Sequence, residues 1–309
     1  MKALVTGGAG FIGSNLCLEL AKRGNHVLIL DDLSTGKKEN IESLIGEKVD
    51  FVQGSVVDLP LLQELFHKID TVFHLAAISS VPKSLQDPLA THQVNLTGTL
   101  NVLLAVRDNR VRKVIYASSS SVYGDSPVLP KIEDMLPDPQ SPYAVTKLAG
   151  EYYCQVFGQV YDMSAVCLRY FNVYGPKQDS NSPYATVAPN FTSKLLEDKP
   201  PVIFGDGEQT RDLIFVEDVV AANILATESD VSGIFNIGTG KRITINELSQ
   251  LIRNVMEKDI KPVHMEPRPG DVKHSLADIT KAKKELGWEP KIDLEEGLRR
   301  YIKWYKATS

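Results

Sequence analysis

The feature that most constrains this fold is a glycine-rich stretch near the N-terminus, TGGAGFIG at residues 6–13. It follows a short apolar run typical of a strand, residues 3–6, and opens a helical pattern over residues 11–24. Glycines at such a junction permit a tight turn and let the backbone approach a pyrophosphate, which the amides of the helix N-terminus can bind. Glycines alone are weak evidence, but their position after the first strand predicts a dinucleotide site. The predicted cofactor contacts here are Gly7, Gly10, Phe11, Ile12 and Gly13.

Strand and helix patterns alternate through the first half of the chain. Predicted strands cover residues 3–6, 26–30, 49–53, 71–75, 111–117, 164–170 and 233–237, and predicted helices cover residues 11–24, 59–68, 88–109, 143–161, 244–258 and 292–306. Such alternation predicts βαβ units, right-handed crossovers and a parallel sheet. The predicted fold class is therefore α/β, a Rossmann-type doubly wound parallel sheet with a smaller α/β substrate-binding domain.

The domain boundaries are predicted from a change in composition. Residues 173–212 are polar, are interrupted by prolines and are predicted to be rich in loops. We therefore expect residues 1–173 and 213–238 to form the dinucleotide-binding domain. Residues 174–212 and 239–309 are expected to form the smaller domain.

Composition excludes several classes of function. The formal net charge is −5 and no basic stripe stands out, which argues against nucleic acid or a membrane surface as partner. No apolar run is long enough for a signal peptide or a membrane helix. Three cysteines without a CxxC pair indicate reduced thiols in a cytoplasmic protein, and the six histidines lack metal-site spacing, so no metal is expected.

A carboxylate follows the second predicted strand. Asp31 lies 18 residues beyond Gly13, close to the spacing of about 20 residues expected for a ribose-binding acid. A carboxylate accepts a hydrogen bond from the 2′-hydroxyl and repels a 2′-phosphate, which favours NAD over NADP. Asp32 is the alternative cofactor contact, although its position fits the start of a surface turn better.

The predicted catalytic pair opens a helix. Tyr143 and Lys147 are four residues apart and so project from one helical face. A nearby ammonium is expected to lower the pKa of the tyrosine, which could then act as a general base at a sugar hydroxyl. YxxxK spacing also arises by chance on solvated helices. Upstream, four serines at 118–121 end a predicted strand, where one hydroxyl could join Tyr143 and the others form a polar turn.

With these motifs the chain resembles the extended short-chain dehydrogenase/reductase family, and within it the UDP-hexose 4-epimerases. The resemblance runs from residue 2 to about residue 290. Its landmarks are residues 6–13, 74–77, 118–124, Tyr143 with Lys147, residues 168–176, 205–207, 211–212 and 268–271.

The resemblance implies further site residues. It places the catalytic hydroxyl at Ser119, beside Ser120, and an adenine-contacting acid at Asp58. Further implied cofactor contacts are Val57, Leu75, Ala76, Ala77 and Tyr170. Implied substrate contacts are Asn172, Arg211 and Arg268 at the diphosphate, Asp271 at the uridine ribose, Phe204 at the uracil, and Lys83. Arg211 could instead pair with Asp212 or Glu217, and His74, at the end of a buried strand, fits a core histidine better than a ligand.

The reaction is predicted from acidic residues that related enzymes carry and that this chain lacks. The related 4,6-dehydratases carry an Asp-Glu pair after the catalytic hydroxyl, and the related decarboxylases carry a Glu at the first of these positions. This chain has Ser120 and Ser121 there. The resemblance thus implies NAD-dependent C4 epimerisation of a UDP-hexose through a 4-keto sugar. The alternatives are another NAD-dependent enzyme that modifies a UDP-sugar (a UDP-glucuronate 4-epimerase, a decarboxylase or a dehydratase), a net NADP-dependent reductase and a catalytically silent NAD-sensing protein.

The resemblance also bears on substrate breadth and assembly. It places Ser275 beside the sugar C2 substituent, where a small residue leaves room for an N-acetyl group. This implies activity on UDP-GlcNAc and UDP-GalNAc as well as on UDP-Glc and UDP-Gal. The alternative is that Ser275 is a surface-loop residue. The resemblance further implies a homodimer, with helices 88–109 and 143–161 pairing across a four-helix bundle.

Overall fold

The computed structural model describes residues 1–179, 187–267 and 272–308. Its centre is a seven-stranded sheet in which every neighbouring pair of strands is parallel. Helices cover both faces of this sheet, and the predicted Rossmann-type α/β class is confirmed. No helix in these three ranges is long and apolar enough to cross a membrane.

The strands and α-helices are numbered in chain order. The strands are β1 (Lys2–Thr6), β2 (His26–Asp31), β3 (Val49–Gln53), β4 (Thr71–His74), β5 (Lys113–Ser119), β6 (Ser164–Tyr170), β7 (Asn172–Tyr174), β8 (Val202–Phe204), β9 (Thr210–Arg211), β10 (Leu213–Phe215), β11 (Gly233–Ile237), β12 (Ile243–Thr244) and β13 (Val263–Met265). The helices are α1 (Phe11–Lys22), α2 (Leu59–Leu65), α3 (Val81–Gln86), α4 (Pro88–His92), α5 (Gly98–Asp108), α6 (Pro142–Tyr161), α7 (Val187–Leu196), α8 (Val216–Glu228), α9 (Ile245–Met256), α10 (Thr280–Leu286) and α11 (Leu294–Thr308).

Side-chain alternation along the strands produces two cores. In β1, Ala3 and Val5 face a cluster that includes side chains of α1, α8 and α10, whereas Leu4 faces a cluster that includes side chains of α2, α5 and α6. Strands that are buried on both faces read as continuous apolar runs, as residues 3–5 of β1 do. This explains why the sheet was visible in the sequence.

The strand order determines where a ligand can bind. The order is β3-β2-β1-β4-β5-β6-β11. The chain adds β2 and β3 on one side of β1 and then crosses over to add β4 on the other side. At such a reversal the loops beyond the carboxyl ends of the strands diverge and leave a crevice. The glycine-rich stretch follows β1 at this point, and residues 75–77 follow β4 beside it.

A third hydrophobic cluster lies outside the two cores of the large sheet. It includes buried residues of α7, α9 and α11, among them Phe191, Leu248 and Tyr301. Three two-stranded pairings accompany it, β10 with β7, β12 with β9, and β13 with β8. Residues 173–212, predicted to be rich in loops, also contain α7 and the short strands β8 and β9, which pair with segments distant in sequence.

Two further predicted elements are corrected. Strand β5 begins and ends two residues later than expected, so Ser118 and Ser119 belong to the strand. The helix predicted over 88–109 contains α4, a π-helical turn at Gln93–Thr97, and α5. Sequence periodicity does not reveal such a turn, because one extra residue in a helix changes its pattern very little.

Candidate active site

The glycine-rich turn between β1 and α1 is packed so closely that it excludes larger residues. Gly7 has a φ of 69°, and a Cβ there would lie 2.7 Å from the Ala76 nitrogen. A Cβ on Gly13 would lie 2.2 Å from the Gly7 carbonyl oxygen. Gly10 is the N-cap of α1, and no side chain caps the helix there. The first-turn amides of α1 are thus arranged as a pyrophosphate requires, and the turn fits a dinucleotide.

The acid predicted at the ribose lies at the end of β2, next to this turn. Asp31 is 7% exposed, and its carboxylate accepts from the amides of Ala9 and Leu33, both at 2.9 Å. Burial raises the pKa of Asp31, and these two amides act against the rise. The carboxylate is therefore fixed to the glycine-rich turn itself.

The two other acids predicted at the cofactor occupy turn and cap positions. Asp32 is exposed and accepts from the Ser34 amide at 2.9 Å, as the surface-turn alternative expects. Asp58 is also exposed and follows Val57 beyond the end of β3. It caps α2 by accepting from the Leu61 amide at 3.1 Å. Its place beyond the carboxyl end of a strand beside β2 is consistent with the adenine side of the crevice.

A buried histidine supports the loop after β4. His74 is 1% exposed, with Nδ1 2.8 Å from the Thr6 hydroxyl and Nε2 2.9 Å from the Thr99 hydroxyl. Thr6 also accepts from the Ala76 amide at 3.2 Å, and Thr99 donates to the Asn95 carbonyl at 2.5 Å. Burial lowers the pKa of His74 to about 3. The histidine is a hydrogen-bonded core residue, and it anchors the stretch that contains Leu75, Ala76 and Ala77.

The predicted catalytic residues come together where α6 begins. Ser141 caps this helix by accepting from the Ala144 amide at 3.2 Å, and Pro142 occupies its first turn. Tyr143 lies beside Ser119, at the end of β5, whose hydroxyl acts to lower the pKa of the phenol. Lys147 is 4% exposed, its Nζ donates to the Ala117 carbonyl at 2.7 Å, and it lies 6.0 Å from the centroid of the Tyr143 ring.

The structure corrects the expected pKa of the tyrosine. Burial raises the pKa of Tyr143, and the hydrogen bond from Ser119 acts against that rise. Burial also lowers the pKa of Lys147, to about 8, with Cys154 and Glu151 acting against it. The spacing in the sequence predicts a lysine beside Tyr143, but it does not reveal that the phenol is buried. Loss of hydration raises the pKa of the phenol by more than the Lys147 ammonium, whose Nζ lies 6.0 Å from the ring centroid, can lower it.

The four serines divide their roles as the sequence allowed. Ser118 is 2% exposed and donates to Glu151, which removes it from the catalytic candidates. Ser119 contacts Tyr143 and also accepts from the Ser121 amide at 3.1 Å. Ser120 is half-buried and begins a short 3₁₀ turn that ends at Tyr123.

A buried ion pair behind the catalytic helix was not predicted. Glu151 and Arg169 are 0% and 2% exposed, with Nε–Oε1 and Nη2–Oε2 distances of 2.8 and 2.7 Å. The available signals were an acid four residues beyond Lys147 and an arginine in an otherwise apolar strand. Tyr170, predicted at the cofactor, follows this arginine. Its hydroxyl donates to Asn223 Oδ1 at 3.0 Å, so the structure gives its side chain a packing role.

The residues predicted at the diphosphate and uracil lie around β7, β8 and β9. The Asn172 side chain donates to the Asp212 carbonyl at 3.0 Å. Arg211 donates to the Thr210 carbonyl at 3.0 Å, and Phe204 ends β8. The two acids weighed as alternative partners of Arg211 both have other contacts. Asp212 accepts from the amides of Thr239, Gly240 and Ala277, and Glu217 pairs with Arg300.

The remaining substrate-site predictions have different outcomes. Ser275 is half-buried, and its amide donates to the Thr210 carbonyl at 3.1 Å, which places it in a paired segment beside Arg211. Lys83 is exposed on α3. Arg268 and Asp271 lie outside the described residues.

Comparison with known proteins identifies relatives over the whole chain. The model for the family described as GDP-mannose 4,6 dehydratase matches residues 4–301. A putative UDP-glucose 4-epimerase from Methanocaldococcus jannaschii is 40% identical over 308 residues, covering 99% of each chain. A UDP-glucuronate 4-epimerase from Thermodesulfobacterium geofontis is 37% identical over 316 residues, covering 99% of this chain and 96% of that one.

Solved structures of similar proteins also match the whole chain. A UDP-N-acetylglucosamine 4-epimerase from Methanobrevibacter ruminantium, in complex with UDP-N-acetylmuramic acid, has a TM-score of 0.97 and 44% identity, covering 100% of this chain and 99% of that one. The UDP-glucose 4-epimerase of Thermus thermophilus, in complex with NAD, has a TM-score of 0.92 and 37% identity, covering 100% of each chain. The predicted cofactor, NAD, is confirmed at the level of these relatives.

Proposed function

The chain belongs to the GDP-mannose 4,6-dehydratase family of extended short-chain dehydrogenase/reductases, and we propose that it is an NAD-dependent UDP-hexose 4-epimerase. The observation that carries this proposal is the meeting of Tyr143, Ser119 and Lys147 at the carboxyl end of β5. This end lies on the same edge of the sheet as the glycine-rich turn. The relatives with 4-epimerase names support it.

The residues of this chain account for the binding and proton-transfer steps. The glycine-rich turn and Asp31 would hold NAD, which when bound accepts the hydride that leaves C4 and then returns it. Tyr143, with Ser119, removes the proton of the C4 hydroxyl. The Ser119 hydrogen bond and the buried Lys147 ammonium stabilise the phenolate that burial disfavours. After the 4-keto sugar has turned about its diphosphate link, the proton returns on the other face.

The residues around Ser119 favour epimerisation over the other reactions of the family. Dehydration needs an additional acid and base beside the sugar, and Ser120 and Ser121 hold the positions where the related enzymes carry acids. The carboxylate that contacts the neighbouring Ser118 is Glu151, and both of its oxygens are bound by Arg169. That carboxylate is not free to transfer a proton to a substrate.

The substrate is proposed to be a UDP-hexose with either a hydroxyl or an N-acetyl group at C2. Ser275 is small, half-buried and paired through its backbone with Thr210, next to Arg211. This arrangement supports a position in the wall of the sugar pocket. We propose that Arg211, Asn172 and Phe204 hold the UDP moiety, together with Arg268 and Asp271. The smaller domain, which presents all of these residues except Asn172, is proposed to comprise residues 174–212 and 239–309.

A homodimer is proposed from an exposed apolar face of α6. Val145, Tyr152, Val156 and Val160 are each at least half exposed, and their spacing places them on one side of the helix. Leu89, on the neighbouring α4, is 73% exposed. We propose that the same face of a second copy covers this surface. The Val156→Glu variant should then have half the molar mass of the wild-type protein by light scattering. A monomeric mass for the wild-type protein would contradict the proposal.

The proposed location is the cytoplasm. Cys17, Cys154 and Cys167 are all buried free thiols, which is consistent with the reducing compartment that their number suggested.

The proposed function is tested with purified protein and no added cofactor. The protein should contain tightly bound NAD and interconvert UDP-Glc with UDP-Gal, and UDP-GlcNAc with UDP-GalNAc. UDP-glucuronate is included in the same panel. Release of CO₂, or a 4-keto-6-deoxy product, would show one of the other reactions of the family.

Tyr143→Phe is the decisive variant. It removes the acid/base group and almost no volume, so turnover should fall by about 10²–10⁴-fold or more while NAD stays bound. Tyr153→Phe, a half-buried tyrosine of the same helix, is the matched control and should keep activity. Near-normal epimerase activity in Tyr143→Phe would refute the assignment of the base.

A further inference from the structure

Helix α6 has a third polar residue in line with its catalytic pair. Tyr143, Lys147 and Glu151 are spaced four residues apart and so share one face. Glu151 is completely buried, and the proton-transfer steps above do not use it. A buried carboxylate is costly unless it is paired and hydrogen-bonded, so its contacts need an explanation.

The side chains that contact Glu151 come from the two neighbouring strands β5 and β6. Arg169 binds both oxygens, at 2.8 and 2.7 Å, and the Ser118 hydroxyl donates to Oε1 at 2.5 Å. Ser118 directly precedes Ser119 on β5. In the sheet, Ser118 is paired with Arg169 across the β5–β6 ladder. One carboxylate therefore joins α6 to two strands at the point where both reach the crevice.

Arg169 extends these contacts toward the sugar side of the site. Its Nη1 donates to the Glu133 carbonyl at 3.2 Å, and its guanidinium lies 4.7 Å from the centroid of the Tyr123 ring. The segment of Glu133 also contains Lys131. The Lys131 amide donates to the Leu276 carbonyl, and its carbonyl accepts from the Asp278 amide, both at 2.8 Å. Leu276 follows Ser275, so directional contacts run from the catalytic helix to the segment proposed beside the sugar.

Stability alone does not account for this arrangement. Replacing a buried ion pair with well-packed apolar residues is often neutral or stabilising. Apolar side chains, however, cannot fix the direction of a neighbouring hydroxyl or the rotation of a helix as a bidentate pair does. The ion pair is therefore expected to contribute to the alignment of the neighbouring groups more than to the free energy of unfolding.

We propose that Glu151 and Arg169 are positioning residues, whose buried ion pair aligns Tyr143 on α6 with Ser119 on β5 for proton transfer. The inference rests on the proposed epimerase function. Neither residue is proposed to touch substrate or cofactor. A displacement of about 1 Å at a reacting group can cost about 100-fold in rate, so a loss of alignment should appear in kcat.

The test compares three variants under one assay. Glu151→Gln keeps the shape and removes the charge, and Ser118→Ala removes one hydrogen bond while leaving the ion pair. The matched control is Asp218→Asn, another buried carboxylate, which is on α8 and accepts from the amides of Lys291 and Ile292. For each variant, kcat, KM for the UDP-hexose, bound NAD and the unfolding midpoint are measured.

We expect kcat to fall by about 10- to 100-fold in Glu151→Gln, with a smaller fall in Ser118→Ala. KM and NAD content should stay within about twofold of wild type. Asp218→Asn should lower the unfolding midpoint and leave kcat unchanged. In a Ser119→Ala background, Glu151→Gln should cost less, because the hydroxyl to be aligned is gone.

Several outcomes would overturn the inference. One is a wild-type kcat in Glu151→Gln, and another is an equal cost of that change with and without the Ser119 hydroxyl. If Glu151→Gln does not fold, Ser118→Ala decides, and a wild-type kcat there would overturn the inference. Failure of the proposed function is distinguishable, because the wild-type protein itself would then turn over no UDP-hexose, and both proposals would fall.

Discussion

Gly13→Ala offers a strict test of the dinucleotide site, because the three atoms nearest to a Cβ at Gly13 are all backbone atoms. A Cβ at this position would lie 2.2 Å from the Gly7 carbonyl oxygen and 2.8 Å from the Gly8 Cα. No side chain can rotate away to make room. The glycine-rich turn would have to retreat by about 1 Å to restore ordinary contact distances.

The opposite side of the turn limits that retreat. Gly7 abuts the segment after β4, where even a Cβ would come within 2.7 Å of the Ala76 nitrogen. Forcing an extra methyl group into a packed site costs about 1–3 kcal/mol. The displaced turn would also lose its alignment with the first amides of α1. We therefore expect NAD to bind at least about tenfold more weakly, which corresponds to about 1.4 kcal/mol.

The assay measures NAD bound per chain after gel filtration, the dissociation constant by calorimetry, and the free energy of unfolding in denaturant. Gly46→Ala is the matched control, because no atom lies within 4 Å of a Cβ built there. It should change the free energy of unfolding by no more than about 0.5 kcal/mol. Wild-type NAD affinity in Gly13→Ala would refute the argument that this turn forms the cofactor cradle.

Three further predictions address the cofactor, the substrate and pH. Asp31→Ala should weaken NAD and reduce discrimination against NADP, measured as the ratio of their dissociation constants, because it removes both the ribose acceptor and the charge that repels a 2′-phosphate. Ser275→Tyr should abolish turnover of UDP-GlcNAc by overlap with the acetamide and spare UDP-Glc; parallel losses in kcat/KM for both would contradict its position in the pocket. Because burial lowers the pKa of His74 from 6.5 to about 3, the unfolded chain binds more protons between these values. Acidification from pH 6.5 should then cost up to about 1.4 kcal/mol of unfolding free energy per pH unit, a slope that denaturant titrations should find reduced in His74→Gln.

Local signals made the dinucleotide half of the site predictable. The glycines after β1, Asp31 at the end of β2 and the Tyr143–Lys147 spacing each depend on residues close together in sequence. Strands buried on both faces gave continuous apolar runs, so the sheet was predicted apart from a shift of two residues in β5. The arrangement of these features then followed from the geometry common to all parallel sheets.

Features that depend on distant contacts were not predictable in this way. Helix α7 forms among prolines because Phe191 and its neighbours pack against α9 and α11, which follow much later in the chain. The ion pair of Glu151 with Arg169 joins a helix to a strand, and no local pattern pairs them. The pKa of Tyr143 depends on burial, which a spacing rule does not contain.

The buried hydroxyls around His74 have a fixed direction of donation. Thr99 has a single hydroxyl proton and gives it to the Asn95 carbonyl, so toward His74 it can only accept. The imidazole must therefore carry its hydrogen on Nε2 and leave Nδ1 bare. Thr6 then donates to Nδ1 while its oxygen accepts from the Ala76 amide. Donation thus runs one way, from the segment that borders Gly7 to the helical turn at Asn95. A second proton, on Nδ1, would force the Thr6 hydroxyl hydrogen to point away from that nitrogen. A one-bond ¹⁵N–¹H coupling observed at Nε2 alone would identify this single tautomer.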